Sequence, residues 1–268
     1  MLGFSGKVRR EYLKTLPRIL SVDWDFFFPN GAWFDWGHVE APIFYEQIWW
    51  LRCSASNLKT GGMALNTMVP DKRLLDGFWG KVIQGRPKRI FVTDSHLELY
   101  KLLEEIGKPC LVDNYDAHHD FCYDATFSNV DCGNWAGKAK ANGLIEHYHL
   151  FYPPWRKQEP ENGDRRFEVT YGIDWAPKKY DYLFICRSSA WTPTWADDQW
   201  LKFIGRWQRF WVLAENIVEK RVAVARKPNM AEARQAMERS HLMTKAFMDK
   251  LKSGTLPKAI SSKMRRSL

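Results

Sequence analysis

The run Leu111-Val112-Asp113-Asn114-Tyr115-Asp116-Ala117-His118-His119-Asp120 alternates metal-ligand side chains at a spacing of two. In an extended segment residues i, i+2 and i+4 point to one side. Asp116, His118 and Asp120 are therefore expected to converge where a strand over 110–112 runs out into a loop. Carboxylates joined by an imidazole suit a divalent cation such as Mn²⁺ or Zn²⁺. A polar surface loop of the same composition is the plain alternative. Two further segments carry ligand types. Asp23 and Asp25 close Arg18-Ile19-Leu20-Ser21-Val22-Asp23-Trp24-Asp25, two residues apart and so expected on one side, and His96 ends Thr93-Asp94-Ser95-His96. Taken singly, the aspartates could be a turn or cap pair and His96 an ordinary helix-start residue. Taken together, four carboxylates and two imidazoles suffice for two ions. Such a pair, about 3.5–4 Å apart, can hold a bridging water and lower its pKa towards neutrality.

These residues need strand ends to hold them. The segment 18–25 reads as a short buried strand broken by Pro29-Asn30-Gly31. A helix is expected over 38–52, a strand over 63–68 and a helix over 71–84. Residues 89–93 read as a strand, followed by a helix over 96–106 that Gly107 and Pro109 stop. Beyond the ligand run, a helix is expected over 134–142, strands over 145–150, 167–171 and 182–186, and a helix over 195–212. Strands alternating with helices indicate a mainly parallel α/β sheet with helices on both faces. In such sheets ligands bind at the carboxyl ends of strands, where every candidate above falls.

The 268 residues, 45% hydrophobic and 15% aromatic, are ample for a packed core. Most of the 14 Trp are expected there, with a few, such as those at 49–50, 191, 195 and 200, covering a cleft. Five Cys without a CxxC pair suit buried thiols in a reduced, intracellular protein. No apolar run approaches membrane-spanning length and no signal-peptide core follows the basic amino end, so a soluble cytoplasmic protein is expected. The net charge of +9 is unevenly placed: residues 220–268 hold 13 Lys/Arg against 3 Asp/Glu, leaving the rest near neutral. Residues 1–215 are read as the main domain and 216–268 as a basic helical extension and tail, with an amphipathic helix over 230–251. That tail could neutralise nucleic-acid phosphates, form a solvated surface helix, or make a dimer contact, which leaves room for an oligomer.

In combination, the three ligand elements resemble those of the ureohydrolase (arginase/agmatinase) superfamily. Asp94-Ser95-His96 is similar to its Gly-Gly-Asp-His element and Asp116–Asp120 to its Asp-Ala-His-x-Asp element. Ser21-Val22-Asp23-Trp24-Asp25 matches Ser-x-Asp-x-Asp, moved to the amino end. This permuted order, with the Ser188-Ser189-Ala190-Trp191-Thr192-Pro193 run, resembles a branch that includes peptide arginases. The resemblance spans roughly residues 18–205. It implies a three-layer arginase-like fold and two Mn²⁺ per chain, with Zn²⁺ or Fe²⁺ as alternatives, held by Asp23, Asp25, His96, Asp116, His118 and Asp120. It further implies hydrolysis of arginine side chains in a peptide or protein to ornithine and urea by a metal-bridging hydroxide. Asp120 and His118 would be catalytic, Asp120 accepting a hydrogen bond from that hydroxide. Val130-Asp131-Cys132-Gly133-Asn134-Trp135 is similar to the arginase substrate loop, which points to Asn134, and Trp191 is a candidate for substrate stacking.

Two departures count against free arginine as the substrate. Ala136 stands where arginase has a proton-transfer His, and no Glu stands at the corresponding guanidinium-binding position. Glu40, Glu46 and Asp71 are candidate replacements for that Glu. His147 and His149, on one strand face, could stand in for the missing His or simply pack. A single-zinc deacetylase-type amide hydrolase and a nucleic-acid-binding or scaffold protein are the alternative functions.

Overall fold

The computed structural model describes residues 6–29, 49, 69–121, 129–161, 166–174, 176–207 and 211–213. The strand expected over 63–68, nearly all of the helix over 38–52, Glu40, Glu46 and everything from 214 onwards lie outside them.

Seven strands form one parallel sheet: β1 (Arg18–Asp23), β2 (Arg89–Thr93), β3 (Cys110–Tyr115), β4 (Ile145–Tyr152), β5 (Glu168–Tyr171), β6 (Tyr182–Cys186) and β7 (Trp211–Leu213). Their order across the sheet is β5-β4-β3-β1-β6-β2-β7, and every pairing is parallel. Strands covered on both faces read as near-continuous apolar runs. The runs Arg18-Ile-Leu-Ser-Val-Asp23 and Arg89-Ile-Phe-Val-Thr93 fit that pattern, with Ile19, Leu20, Val22 and Ile90 fully buried.

Alternation splits the apolar side chains into two layers. Leu20, Val22, Ile90, Leu183 and Ile185 face a cluster built on Trp24, Phe27, Phe78, Trp79, Trp200 and Phe203. Ile19, Val112, Phe184 and Cys186 face the other layer, with Leu99, Leu103, Trp135 and Ala139. The short helices α2 (Lys72–Leu75) and α3 (Phe78–Val82) and the helix α6 (Asp197–Gly205) cover the first face. The helices α4 (Leu97–Ile106) and α5 (Trp135–Ala141) cover the second. Helices on both faces of a parallel sheet make the three-layer α/β fold expected from the alternation.

Several elements differ from their expected form. The helix over 71–84 is two pieces, because Gly77 takes a left-handed φ of 70° between them. The helix over 195–212 stops at Gly205, and 211–213 instead adds β7 to the edge of β2, with Trp211 opposite Ile90 and Leu213 opposite Val92. Its Trp-Val-Leu sequence is strand-forming, and sheet pairing overrides the apolar helical spacing. The helix Gly6–Thr15 precedes β1 and has no counterpart in the sequence reading. Among the described residues no helix is long and apolar enough to cross a membrane.

The strand order places β1 between β3 and β6, with β2 beyond β6. From β3 the chain runs outward through β4 and β5 on one side, while β6, β2 and β7 lie on the other. A reversal of this kind opens a crevice at the strands' carboxyl ends. Asp23, Asp116 and Cys186 are at or just past three of those ends, and His96 lies three residues beyond β2.

Candidate metal centre

His96 is the hub. It lies 3% exposed at the start of α4, its ring between Phe184 (stacked, 5.7 Å between centroids) and Trp135 (5.4 Å). Its Nε2 is 3.0 Å from Ser21 Oγ. Its Nδ1 meets three carboxylates: Asp23 Oδ2 at 3.1 Å, Asp116 Oδ2 at 3.2 Å and Asp120 Oδ2 at 3.2 Å. One ring nitrogen carries at most one proton, so it can satisfy only one of the three.

The second half lies alongside. His118 Nδ1 is 2.8 Å from Asp25 Oδ2 and 3.8 Å from Asp116 Oδ1. Asp116 spans both halves, one oxygen towards each imidazole. Three groupings of ligand atoms result, each with its atoms within 4.8 Å of one another: Asp25, Asp116 and His118; His96, Asp116 and Asp120; and Asp23, His96 and Cys186.

The convergence does not come from extended spacing. β1 ends at Asp23, and Trp24–Phe27 turns as a 3-10 helix that Asp23 caps, its Oδ1 accepting from Asp25 N at 3.0 Å. The turn sends Asp23 to His96 and Asp25 to His118, so the two aspartates serve different halves. β3 continues to Tyr115, and Asp116 is the first residue past it. The 116–120 segment then curls around its own carboxylates: Asp116 Oδ1 accepts from His118 N at 2.8 Å and Asp25 Oδ1 from Ala117 N at 3.0 Å. Asp120 takes a left-handed φ of 52°, uncommon outside glycine but tolerated by aspartate. Ala136 N donates to Asp120 O at 3.0 Å, and Trp135 Nε1 donates to Asp120 Oδ2 at 2.7 Å. The approach of α5 that makes these bonds requires Gly137: a Cβ there would sit 2.5 Å from Phe121 O.

Electrostatics follow from packing four carboxylates in a dry site. Burial first, then repulsion from Asp25 and Asp116, raises Asp23 well above the ordinary carboxylate range. Burial and repulsion from Asp116 raise Asp25, and the same two causes push Asp120 up to about 7. Asp116 is the exception: burial would raise it, but hydrogen bonding and attraction from His96 and His118 hold it low. Burial alone would depress His118, yet the Asp25 carboxylate outweighs it and carries the imidazole up to about 10. His96 rises well above its usual value, because hydrogen bonds to Asp116, Asp120 and Asp23 overcome its burial. Apart from Asp116, the carboxylates are shifted in the direction that lessens their mutual repulsion.

This donor set fits a divalent cation. Bonds of about 2.0–2.2 Å from His nitrogen and carboxylate oxygen to one ion put neighbouring ligand atoms roughly 3.0–3.4 Å apart. The 3.1–3.2 Å contacts about His96 Nδ1 have that spacing. Asp116 is shared with the grouping on the His118 side, and the adjacent Cys186 thiol adds a softer donor on the Asp23 side.

The other candidates fall into different roles. Asn134 is buried, but its amide is used within its own loop, Oδ1 accepting from Asp131 N (2.9 Å) and Nδ2 donating to Asn129 O (2.9 Å). Ala136, in the first turn of α5, is fully buried in the core on that face of the sheet, a packed position. Asp71 caps α2 and pairs with Arg73 at 2.6 Å. His147 pairs with Glu168 at 3.1 Å, and His149 lies 2.9 Å from Thr170 Oγ1, both out along β4 and β5. Trp191 does reach the site, its ring 4.9 Å from that of His118. It is carried by a turn in which Ser188 takes a φ of 55° and accepts from Trp191 N and Thr192 N. Arg187 braces that turn, donating to Ser189 Oγ (2.7 Å) and pairing with Asp197, while Ser189 Oγ donates to Asp94. Trp200, expected at a cleft, packs in the core 5.5 Å from Trp24.

Sequence reasoning missed Arg156, Glu161 and Cys186. Nothing in their local sequence marks them: one arginine, one glutamate and one strand cysteine, brought in only by the fold. Comparison with family models, with characterised proteins and with solved structures returns no match.

Proposed function

We propose that this chain is a metal-dependent hydrolase with two divalent ions, Mn²⁺ by preference, that hydrolyses a guanidino group. Its substrate is the arginine side chain of a peptide or protein, and its products are ornithine and urea. The observation that carries the metal reading is the three carboxylates meeting one imidazole nitrogen at 3.1–3.2 Å, with Asp116 shared by a second His/Asp pair. Asp23, His96, Asp116 and Asp120 would hold one ion, and Asp25, Asp116 and His118 the other. Bound as a pair, such ions lower the pKa of a water between them and supply hydroxide near neutral pH.

The protein's own groups do the rest. Asp120 would accept a hydrogen bond from the attacking hydroxide, and its carboxylate is kept in place for this by the Trp135 Nε1–H. Asn114 Nδ2, donating to Asp116 Oδ2 at 3.0 Å and to Tyr148 Oη at 2.9 Å, fixes the shared carboxylate. Trp191 offers its ring beside His118, a surface on which a planar guanidinium stacks. The peptide substrate follows from the resemblance.

Incubating the full-length chain with Mn²⁺ and arginine-containing peptides tests it. Urea release together with arginine-to-ornithine conversion by mass spectrometry is expected, and both are lost in Asp120→Asn. Amine or acetate release without urea would replace this reading with amide hydrolysis.

A further inference from the structure

We propose that Arg156 and Glu161 are positioning residues: one buried ion pair that grips the backbone on both sides of His118 and so aims its imidazole. The proposal rests on the metal reading above, because it assigns these residues the job of presenting a ligand.

After β4, Pro153 leads into a 3-10 turn over Pro154–Lys157 that folds back across the carboxyl end of the sheet. Arg156 points inward from that turn and is 6% exposed. Its Nε donates to Ala117 O at 2.7 Å, the carbonyl of the peptide unit entering His118. Glu161 Oε2 accepts from His119 N at 2.9 Å, the amide of the peptide unit leaving His118. The same oxygen accepts from Tyr152 Oη at 2.9 Å, and Oε1 lies 3.0 Å from Arg156 Nη2, an ion pair by distance in which that nitrogen makes no hydrogen bond. Both peptide planes flanking His118 are thus tied to one ion pair. Fixing them fixes φ and ψ of His118, and with them the direction of its Cα–Cβ bond. The same turn reaches the other half of the site: Trp155 Nε1 donates to Phe28 O at 2.8 Å, three residues beyond Asp25, and the Arg156 guanidinium lies over the Trp155 ring at 4.4 Å.

A charged pair is a costly way to brace a loop, because both ions lose water on burial. Packing alone would be met by apolar side chains of similar volume. What the pair adds is direction: the Arg156 Nε–H and the Glu161 Oε2 each hold one named backbone group. Supports of this kind around metal ligands typically alter metal affinity by about 10–100-fold when removed.

The test uses the full chain and three variants. Glu161→Ala removes the grip on His119. Glu161→Gln keeps an acceptor for His119 N–H and discharges the pair. Arg156→Lys keeps the charge and loses the fork. Mn²⁺ affinity is read from the free-ion electron paramagnetic resonance signal. The His118 ring is read separately, in metal-free ¹⁵N-histidine protein, from the proton shared with Asp25. Glu161→Ala is expected to weaken one of two bound ions by roughly 10–100-fold and to shift or broaden the His118 proton signal, with Glu161→Gln recovering most of both. Lower thermal stability with unchanged affinity and an unchanged His118 signal would overturn the clamp and leave the metal reading intact. Absence of Mn²⁺ uptake in the wild type would overturn the metal reading, and the His118 signal would still decide whether the clamp aims that ring. Should Glu161→Ala fail to fold, Arg156→Lys carries the comparison: it loses the Nε–H held by Ala117 O and is expected to weaken one ion and shift the His118 signal, and wild-type behaviour in it refutes the proposal.

Discussion

Adding Mn²⁺ to the metal-free protein at pH 6 and at pH 8 should expel protons at both. Metal ligands must be deprotonated to bind, so affinity and proton release are linked. The Asp25 carboxylate, outweighing burial, lifts His118 to about 10, so its ring carries close to one displaceable proton at both pH values. Burial and Asp116 lift Asp120 to about 7, which leaves it ~0.9 protonated at pH 6 and ~0.1 at pH 8. These two groups give a release of ~1.9 protons at pH 6 and ~1.1 at pH 8, and ionisation of a water of pKa near 7 would add ~0.1 and ~0.9, for about two protons at either pH. Asp23, Asp25 and His96, all shifted upward, can only add to it. The sign is fixed: raised pKa values mean that the free site holds protons, so acid opposes the metal. Affinity should fall by about tenfold or more for each pH unit of acidification between pH 8 and pH 6. Isothermal titration calorimetry in buffers of different ionisation enthalpy counts the protons directly. Release below about half a proton at both pH values would refute the electrostatic account of the cluster.

Other perturbations bear on separate parts of the site. Asp116→Asn should abolish binding of both ions together, whereas His118→Asn should lose the ion on its own side first; metal content after dialysis distinguishes these outcomes. Trp135→Phe keeps the ring packing but removes the donor to Asp120 Oδ2, and metal affinity or turnover should drop roughly 10–100-fold. Gly137→Ala forces a Cβ to 2.5 Å from Phe121 O. It should destabilise the fold by about 1–3 kcal/mol, visible as a melting temperature lower by several degrees; an unchanged melting temperature would mean that α5 does not need this close approach.

The clustering of Asp and His side chains was legible in the sequence because ligand types are rare and their positions at strand ends follow from α/β topology. Asp23, His96 and Asp116 needed only that placement. Their mutual arrangement was not legible. The two-residue spacing of Asp23 and Asp25 suggested one shared side, but a capped 3-10 turn begins where the strand was expected to continue, and the pair divides between two imidazoles. His118 and Asp120 likewise leave the extended course, turned by bonds from the backbone to Asp116 and Asp25. The element pattern survived where apolar periodicity was strong, as at 89–93 and 182–186. It failed at 211–213, where three residues pair as an edge strand although their spacing continues a helix. Arg156 and Glu161 could not have been found, since their meaning lies in contacts with backbone some forty residues away.

The most direct measurement is the Mn²⁺ stoichiometry of the full-length chain at pH 8, by equilibrium dialysis with elemental analysis, alongside the Asp116→Asn variant. Two ions per wild-type chain, with exchange coupling in the electron paramagnetic resonance spectrum, and none in the variant is the predicted result. Fewer than about half an equivalent of any transition metal in the wild type, or equal uptake by the variant, would contradict a shared-carboxylate metal pair.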